Sequence, residues 1–281
     1  MTAPVRAACI IGWPVEHSRS PLIHNYWLKH YGIAGGYRRE LVPREEFAAF
    51  VGSLAARGYV GANVTLPHKE VVLAASQPDE RASAVGAANT LWLDNGVLRS
   101  TNTDVEGFLD NLDARAPAWD RNLGNAVLLG SGGAARAVVY GLLSRGIRRV
   151  IVVNRTLSRA EALRQTFGAR VQAASWEERD AALADAALLV NTTTLGMQGQ
   201  PPLAVDVTRL PAHAVVADLI YAPAVTPLIA AAKTRGLRNA DGLGMLLHQA
   251  VRGFALWFGT TPTVTAELRA LVEADLGAGK P

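Results

Sequence analysis

Ala126-Val127-Leu128-Leu129 runs directly into Gly130-Ser131-Gly132-Gly133-Ala134-Ala135-Arg136. A short apolar run, a glycine-rich turn and a helical pattern in that order predict strand, tight turn and helix. In this setting the Gly130-x-Gly132-x-x-Ala135 spacing lets the backbone approach a pyrophosphate closely. The following helix offers free N–H groups and the positive end of its dipole to the same anion. Gly130, Ser131, Gly132, Gly133 and Ala134 are therefore candidate dinucleotide contacts. A tight strand-to-helix turn with no ligand would use the same glycines, so the next strand has to discriminate.

That strand is expected at Val150–Val153, and it ends in Asn154-Arg155-Thr156 with Arg159 one turn later. A site for NAD places an acid about 20 residues beyond the glycines, where it binds the ribose 2′-hydroxyl. No acid stands here. Two guanidiniums and two small polar side chains suit a 2′-phosphate, which arginine can grip bidentately. Cations at a helix N-terminus are unfavourable without an anion, which supports the ligand reading. The expected cofactor is NADP, with Asn154, Arg155, Thr156 and Arg159 at its phosphate. Asn191-Thr192-Thr193 and Leu219 end two further expected strands, where ligands bind in such sheets. Thr193 and Leu219 join the cofactor candidates, although polar residues at strand ends often only cap and turn.

Outward from this stretch, short apolar runs alternate with helical patterns over the whole chain, the signature of βαβ units and a mostly parallel sheet. In the first third, strands are expected at Ala7–Ile11, Tyr37–Val42 and Tyr59–Val64. Asp94-Asn95-Gly96 marks a hairpin between Asn89–Leu93 and Val97–Ser100. Helices are expected from Ser20 and Pro21, at Glu45–Arg57, from Pro67 to Ala75, and from Asp79 to Val85. Further on, they are expected at 134–145, Arg159–Phe167, Pro227–Arg235, Gly242–Phe258 and about Thr265–Leu276. The pattern changes near residue 106. The expected fold is α/β with two domains: a three-layer substrate domain from residues 1–106 and 242–281, and a Rossmann-like NADP-binding domain from 107–241. The C-terminal helices would return to the first domain.

Composition narrows the functional classes. The chain has 281 residues, 49% hydrophobic and 19% charged, with a net charge of +4. The charged fraction is below the roughly 25% of an average globular protein, which excludes disorder as the main state. No run of five like charges occurs, so neither a nucleic-acid arm nor a polybasic membrane patch is expected. No stretch approaches the roughly 18 apolar residues of a membrane span. The single cysteine, Cys9, lies in an apolar run and reads as a buried, inert thiol in a cytoplasmic protein. Six scattered histidines and no Cys/His pairs give no metal site. Three Asn-x-Ser/Thr triplets, at Asn63, Asn154 and Asn191, need a reason other than glycosylation.

Three polar clusters end apolar elements in the first domain: His17–Pro21, Asn63–Lys69, and Gly86–Thr90 together with Asn102-Thr103-Asp104. Their serines, threonines and asparagines both donate and accept hydrogen bonds, as recognition of a small polyol requires. Lys69 has the most chemical promise. With Thr65 as N-cap and Pro67 in the first turn, it would lie near the positive end of a helix, where dipole and desolvation both oppose the ammonium form. Asp104 would counter that effect and orient the amine. A surface lysine with a separate, solvated aspartate remains open from spacing alone.

Taken in order, these motifs resemble the shikimate dehydrogenase family over nearly the whole chain. The resemblance rests on Gly12-x-Pro14-x-x-His17-Ser18-x-Ser20-Pro21, Gly61-Ala62-Asn63-Val64-Thr65-x-Pro67-x-Lys69, Gly86-Ala87-x-Asn89-Thr90 and Asn102-Thr103-Asp104. It continues through Gly132-Gly133-Ala134-Ala135-Arg136, Asn154-Arg155-Thr156, Tyr221-x-Pro223-x-x-Thr226-Pro227 and Asp241-Gly242-Leu243-Gly244-Met245-Leu246-x-x-Gln249-Ala250. The resemblance implies reversible NADPH-dependent reduction of 3-dehydroshikimate to shikimate, with Lys69 and Asp104 as the catalytic pair at the reacting oxygen. It also implies that Ser18 and Ser20 hold the substrate carboxylate and that Asn63, Thr65, Asn89 and Gln249 bind ring hydroxyls. Tyr221 would lie near the substrate, and Gly242 and Met245 near the nicotinamide. Ser131 and Thr101 depart from the family pattern. A broader quinate/shikimate or aminoshikimate enzyme, and a non-catalytic sensor that kept the fold, are the alternatives. The expected assembly is a monomer or homodimer.

Overall fold

The computed structural model describes residues 6–121 and 124–278. The extreme ends of the expected first domain, residues 1–5 and 279–281, lie outside them. The chain divides into two compact units: residues up to Asp104 with Gln249–Asp275, and Val105–His248 with the residues from Leu276 on.

The first unit contains β1 (Arg6–Gly12), α1 (Ser20–His30), β2 (Gly35–Leu41), α2 (Phe47–Gly52), β3 (Tyr59–Val64), β4 (Gln77–Pro78), α3 (Glu80–Val85), β5 (Thr90–Asp94) and β6 (Val97–Thr101). They form one sheet in the order β2-β1-β3-β5-β6-β4. β1 pairs parallel with β2 and β3, and β4 with β6, while β5 runs antiparallel to β3 and β6. The hairpin forms where Asp94-Asn95-Gly96 predicts it, with positive φ at Asn95 and Gly96. Strand alternation sends Cys9, Ile11, Ala62 and Val64 into a core with Phe47, Phe50, Val51 and Leu54. Tyr37 and Asn63 turn to the other face, where His24 of α1 stacks on Tyr37 at 4.2 Å. Burial pushes the Cys9 thiol far above its ordinary range, so it is inert as expected.

The second unit begins in α4 (Asp104–Arg115), whose first residue closes the first unit. It contains β7 (Asn125–Leu129), α5 (Gly133–Ser144), β8 (Arg149–Asn154), α6 (Leu157–Phe167), β9 (Val171–Ser175), α7 (Arg179–Ala182), β10 (Ala186–Asn191), β11 (Val215–Asp218), α8 (Pro227–Thr234) and β12 (Arg238–Ala240). All strands are parallel, in the order β12-β11-β10-β7-β8-β9. This is the doubly wound order, with the strand direction of travel reversing between β7 and β10. Two helices close the chain, α9 (Gly242–Phe258) and α10 (Ala266–Ala278). The division between units falls inside α9, between His248 and Gln249. The later part of α9 and most of α10 belong to the first unit.

The α1 face of the first sheet is aromatic. Trp27, Phe254, Trp257 and Phe258 cluster there, with Trp27–Phe254 and Phe254–Phe258 centroids 5.5 and 4.8 Å apart. Trp257 Nε1 donates to the Leu91 carbonyl at 2.8 Å, which brings its indole directly onto Gly61. A Cβ at Gly61 would lie 2.1 Å from that nitrogen and 2.3 Å from the Leu91 oxygen, so only glycine fits there. His24 is fully buried in the same cluster, and neither ring nitrogen has a hydrogen-bond partner.

Three sequence expectations are corrected. No helix runs from Pro67 to Ala75. Turns with a cis Leu66–Pro67 peptide occupy the segment, followed by a single 3-10 turn at Val71–Leu73. The reason is tertiary: His68 is buried, its Nε2 2.8 Å from the Val42 carbonyl and its ring stacked on Phe47 at 4.4 Å. The helix expected at Glu45–Arg57 is shortened to a 3-10 turn at Arg44–Glu46 and α2, and turns lead to Gly58 at φ +82°. β4, β9, α7 and β12 have no counterpart among the expected elements. They are short and lack an apolar signature, and the strands among them exist through ladder pairing. Among the described residues no helix is long and apolar enough to cross a membrane.

Gly61→Ala is expected to destabilise the fold by about 3 kcal/mol through overpacking, read as a lower Tm. Burial lowers the His24 pKa from 6.5 to about 3, against the opposing effect of Asn63. Below about pH 6.5 the unfolded chain takes up a proton that the folded chain refuses. His24 should therefore make no difference to stability above that pH. It should cost on the order of 3 kcal/mol by pH 4. Thermal unfolding across pH 4–8 should show a flatter acid limb in His24→Gln than in wild type.

Candidate active site

In the first unit, the chain ends of β3, β5 and β6 bring the polar clusters together. Lys69 Nζ meets Asp104 Oδ2 at 2.5 Å, with the two side chains 18% and 9% exposed. The open alternative of a surface lysine with a separate, solvated aspartate is thereby excluded. The dipole argument for Lys69 lapses with its helix; what acts on the amine is Asp104. The second oxygen of Asp104, Oδ1, accepts from Asn89 Nδ2 at 2.9 Å. The Asp104 backbone N–H donates to Asn102 Oδ1 at 3.1 Å, and Asn102 Nδ2 donates to the Ala87 carbonyl at 2.9 Å. Asn89 is itself fixed, since its Oδ1 accepts from the Thr103 backbone N–H at 2.8 Å and from the Thr103 and Thr90 hydroxyls. The carboxylate is thus held on both oxygens by side chains of two separate loops.

Behind this pair, Asn63 Nδ2 donates to the Asn89 carbonyl and to Thr90 Oγ1, at 3.2 and 3.1 Å. The buried Asn63 explains its Asn-x-Thr triplet without any sugar. Ser18 and Ser20 form their own pair: their hydroxyls are 3.2 Å apart, and the Ser20 N–H donates to Ser18 Oγ at 3.2 Å. Arg39 donates to the Ser18 carbonyl at 2.6 Å and steadies that loop. Thr65 packs its methyl against Gly12, and its backbone N–H donates to the Ile11 carbonyl at 2.9 Å. Gln249 is buried in the first-unit part of α9. Tyr221 belongs to the second unit, half-buried in the turn after β11.

In the second unit, Gly130 ends the loop's first step at φ +101°, a conformation that favours glycine, and a Cβ there would strike Thr192 Oγ1 at 2.7 Å. Gly132 and Gly133 differ: a Cβ on either meets nothing within 4 Å. Packing within the unit does not demand glycine there, whereas close backbone approach of a pyrophosphate does. Gly132 is the N-cap of α5 and supplies no side-chain cap, and the first turn carries no acid, so no side chain at the cap takes up the helix's leading N–H groups and they can accept an anion. These residues fit a dinucleotide. Beyond β8, Asn154 Nδ2 donates to the Thr156 carbonyl at 2.8 Å, and Thr156 caps α6 without a side-chain bond. Arg155 and Arg159 are exposed, and among the described ion pairs neither has an acidic partner. Thr193 donates its hydroxyl to Asn191 Oδ1 at 2.7 Å, and the Leu219 N–H donates to the Asn191 carbonyl at 3.0 Å. Gly242 opens α9 against the Leu219–Ile220 backbone, and Met245 is buried one turn on.

Residues 10–91 match the family description "Shikimate dehydrogenase substrate binding domain", residues 117–197 "Shikimate / quinate 5-dehydrogenase", and residues 242–271 "Shikimate 5'-dehydrogenase C-terminal domain". The "Shikimate dehydrogenase (NADP(+))" of Rhodopseudomonas palustris strain TIE-1 is 66% identical over 98% of this chain and 99% of its own length. The chain belongs to the shikimate dehydrogenase family. Among solved structures, the shikimate 5-dehydrogenase of Thermus thermophilus in complex with NADP(H) and shikimate aligns at TM-score 0.84 and 34% identity, covering 98% of this chain and 99% of that one. The quinate dehydrogenase of Corynebacterium glutamicum in complex with NAD aligns at TM-score 0.89 and 30% identity, covering 96% and 99%.

In this shikimate dehydrogenase family member, two residues that build the site were given no role by the sequence. His68 anchors the Lys69 turn through Val42 and Phe47. Asp218, buried at the end of β11, accepts from Asn191 Nδ2 at 3.0 Å, the Ile220 N–H at 3.1 Å and Thr226 Oγ1 at 2.7 Å. Burial raises its pKa against the pull of those three donors. It ties the ends of β10 and β11 to the start of α8. Only the pairing of β10 with β11 brings Asn191 and Asp218 side by side.

Proposed function

We propose that this chain is an NADP-dependent oxidoreductase that interconverts 3-dehydroshikimate and shikimate, reduction being the biosynthetic direction toward chorismate and the aromatic amino acids. The observation that carries the mechanism is the largely buried Lys69–Asp104 pair at 2.5 Å. Lys69 gives a proton to the substrate C3 oxygen in reduction and takes it back in oxidation. Asp104 accepts a hydrogen bond from the C3 hydroxyl of shikimate and keeps the amine in place, while Asn89 prevents the carboxylate from turning away. Ser18 and Ser20 hold the substrate carboxylate. Asn63, Thr65, Asn89 and Gln249 receive ring hydroxyls, with Tyr221 on the substrate side.

The residues that hold the cofactor are Gly130, Ser131, Gly132, Gly133 and Ala134 at the pyrophosphate, and Asn154, Arg155, Thr156 and Arg159 at the 2′-phosphate. Thr193 and Leu219 would add further cofactor contacts, and Gly242 and Met245 would lie near the nicotinamide. The chemistry the cofactor supplies when bound is hydride transfer between nicotinamide C4 and substrate C3. The two units serve as substrate-binding and NADP-binding domains. The protein works in the cytoplasm, as a monomer or homodimer. The structural likeness to an NAD-bound quinate dehydrogenase makes quinate and NAD the competitors to test.

Following reduced-nicotinamide absorbance with shikimate or quinate, each paired with NADP or NAD, tests the reading. Turnover with shikimate and NADP supports it. Equal turnover of quinate or NAD moves the protein to the broader-specificity branch, and binding without turnover makes it a sensor. Lys69→Ala is expected to lower kcat by roughly 10²–10⁴ while substrate binding weakens far less. A variant with near-normal turnover would remove Lys69 from the mechanism. Arg155→Ala combined with Arg159→Ala should raise KM for NADP by about ten- to a hundredfold and leave KM for NAD in place.

A further inference from the structure

Tyr37 stands one layer behind the residues assigned to the substrate. Its hydroxyl donates to Asn63 Oδ1 at 2.6 Å, and both side chains are buried. Burial keeps the phenol protonated well above its ordinary range, so it acts as a donor. The ring is held from behind by α1. His24 stacks on it at 4.2 Å and 19°. Asn25 clasps its backbone from both sides: Nδ2 donates to the Tyr37 carbonyl and Oδ1 accepts from the Tyr37 N–H, each at 3.0 Å. The helix that grips Tyr37 in its second turn carries Ser20 in its first.

An asparagine amide can face either way in a pocket of the same shape, and its neighbours choose. The Asn89 carbonyl can only accept, so it requires Nδ2 on its side of Asn63. The Tyr37 hydroxyl completes the choice by donating to Oδ1. The second lone pair of Oδ1 is then presented as an acceptor, and an acceptor is what a substrate hydroxyl donor needs.

We propose that Tyr37 is a positioning residue that fixes the amide of Asn63 as an acceptor for a hydroxyl of the ring substrate. This rests on the reading of Asn63 as a substrate-hydroxyl ligand. In this role Tyr37 acts through Asn63; an influence through Ser20, whose side chain also bears on the phenol, would persist in the Asn63→Ala background. Removing the Tyr37 hydroxyl takes the fixed donor away from Oδ1, loosens that end of the amide and weakens substrate binding, and the proton-handling pair at Lys69 stays as it was.

The test is steady-state kinetics with shikimate and NADP on wild type, Tyr37→Phe, Asn63→Ala and the double variant. Tyr37→Phe should raise KM for shikimate about fivefold, the worth of one neutral hydrogen bond, with kcat and the KM for NADP within about twofold. In the Asn63→Ala background the same change should have no further effect on KM, because the two act as one unit. A KM unchanged by Tyr37→Phe overturns the proposal, as does the same rise with and without Asn63. A fall in kcat together with a rise in both KM values also overturns it, since that marks a general loss of structure. Should Tyr37→Phe not fold, Asn25→Ala loosens Tyr37 from behind without touching the phenol or Asn63. It should give the same shikimate-only KM rise, again abolished by Asn63→Ala; a rise that survives Asn63→Ala overturns the proposal. Wild-type protein without shikimate turnover overturns the functional reading itself and this proposal with it. An active wild type with an unaffected Tyr37→Phe overturns this proposal alone.

Discussion

The first unit depends on how one carboxylate is held. Asp104 offers Oδ2 to Lys69 and Oδ1 to Asn89, and its backbone N–H goes to Asn102. A carboxylate this little exposed is costly unless each oxygen has a partner. Satisfying it fixes Asn89, and Asn89 in turn fixes Thr103, Thr90 and, through its carbonyl, Asn63. The polar wall of the site is thus one connected network. Such networks rigidify a site when every member is satisfied and weaken it when one is not. The loops that carry the network leave β3, β5 and β6 at one end of a mixed sheet. The antiparallel pairing of β5 with β3 places Asn63 opposite Thr90.

The second unit meets a different constraint. Its strands are all parallel and the central ones are buried, so polar groups gather where those strands end. There Asp218 takes three donors from three segments, and Gly130 is packed onto Thr192. Those contacts shape the strand ends. Gly132 and Gly133, by contrast, are not required by any internal contact, and Arg155 and Arg159 face outward. The internal contacts explain the residues that build the platform and leave over the residues that would meet a pyrophosphate and a phosphate.

Much of this was legible in the residues. The Gly130–Ala135 turn announced a strand–turn–helix unit, and the lack of an acid at Asn154-Arg155-Thr156 led to the expectation of NADP. Asp94-Asn95-Gly96 set its hairpin, and Gly242–Phe258 read as a helix to the residue. What failed was the segment after Thr65. Thr65 and Pro67 look like the start of a helix, and local propensity is a weak prior. Burying His68 between Val42 and Phe47 outweighs it, and the chain goes through turns instead. Tyr37 carries no signal of its own, because a tyrosine in a strand is ordinary core material until its hydroxyl is seen to reach Asn63.

By itself the sequence determined the order of elements, the mostly parallel sheets, the glycine loop and the polar clusters, because these follow from periodicity, turn chemistry and side-chain type along a local stretch. Only the tertiary structure decided that Lys69 meets Asp104, 35 residues away, and that Tyr37 backs Asn63. It also decided that Asp218 joins two strand ends and that His68 displaces a helix. Contacts between residues distant in sequence depend on register, sheet order and burial, and these are properties of the packed chain rather than of any segment of it.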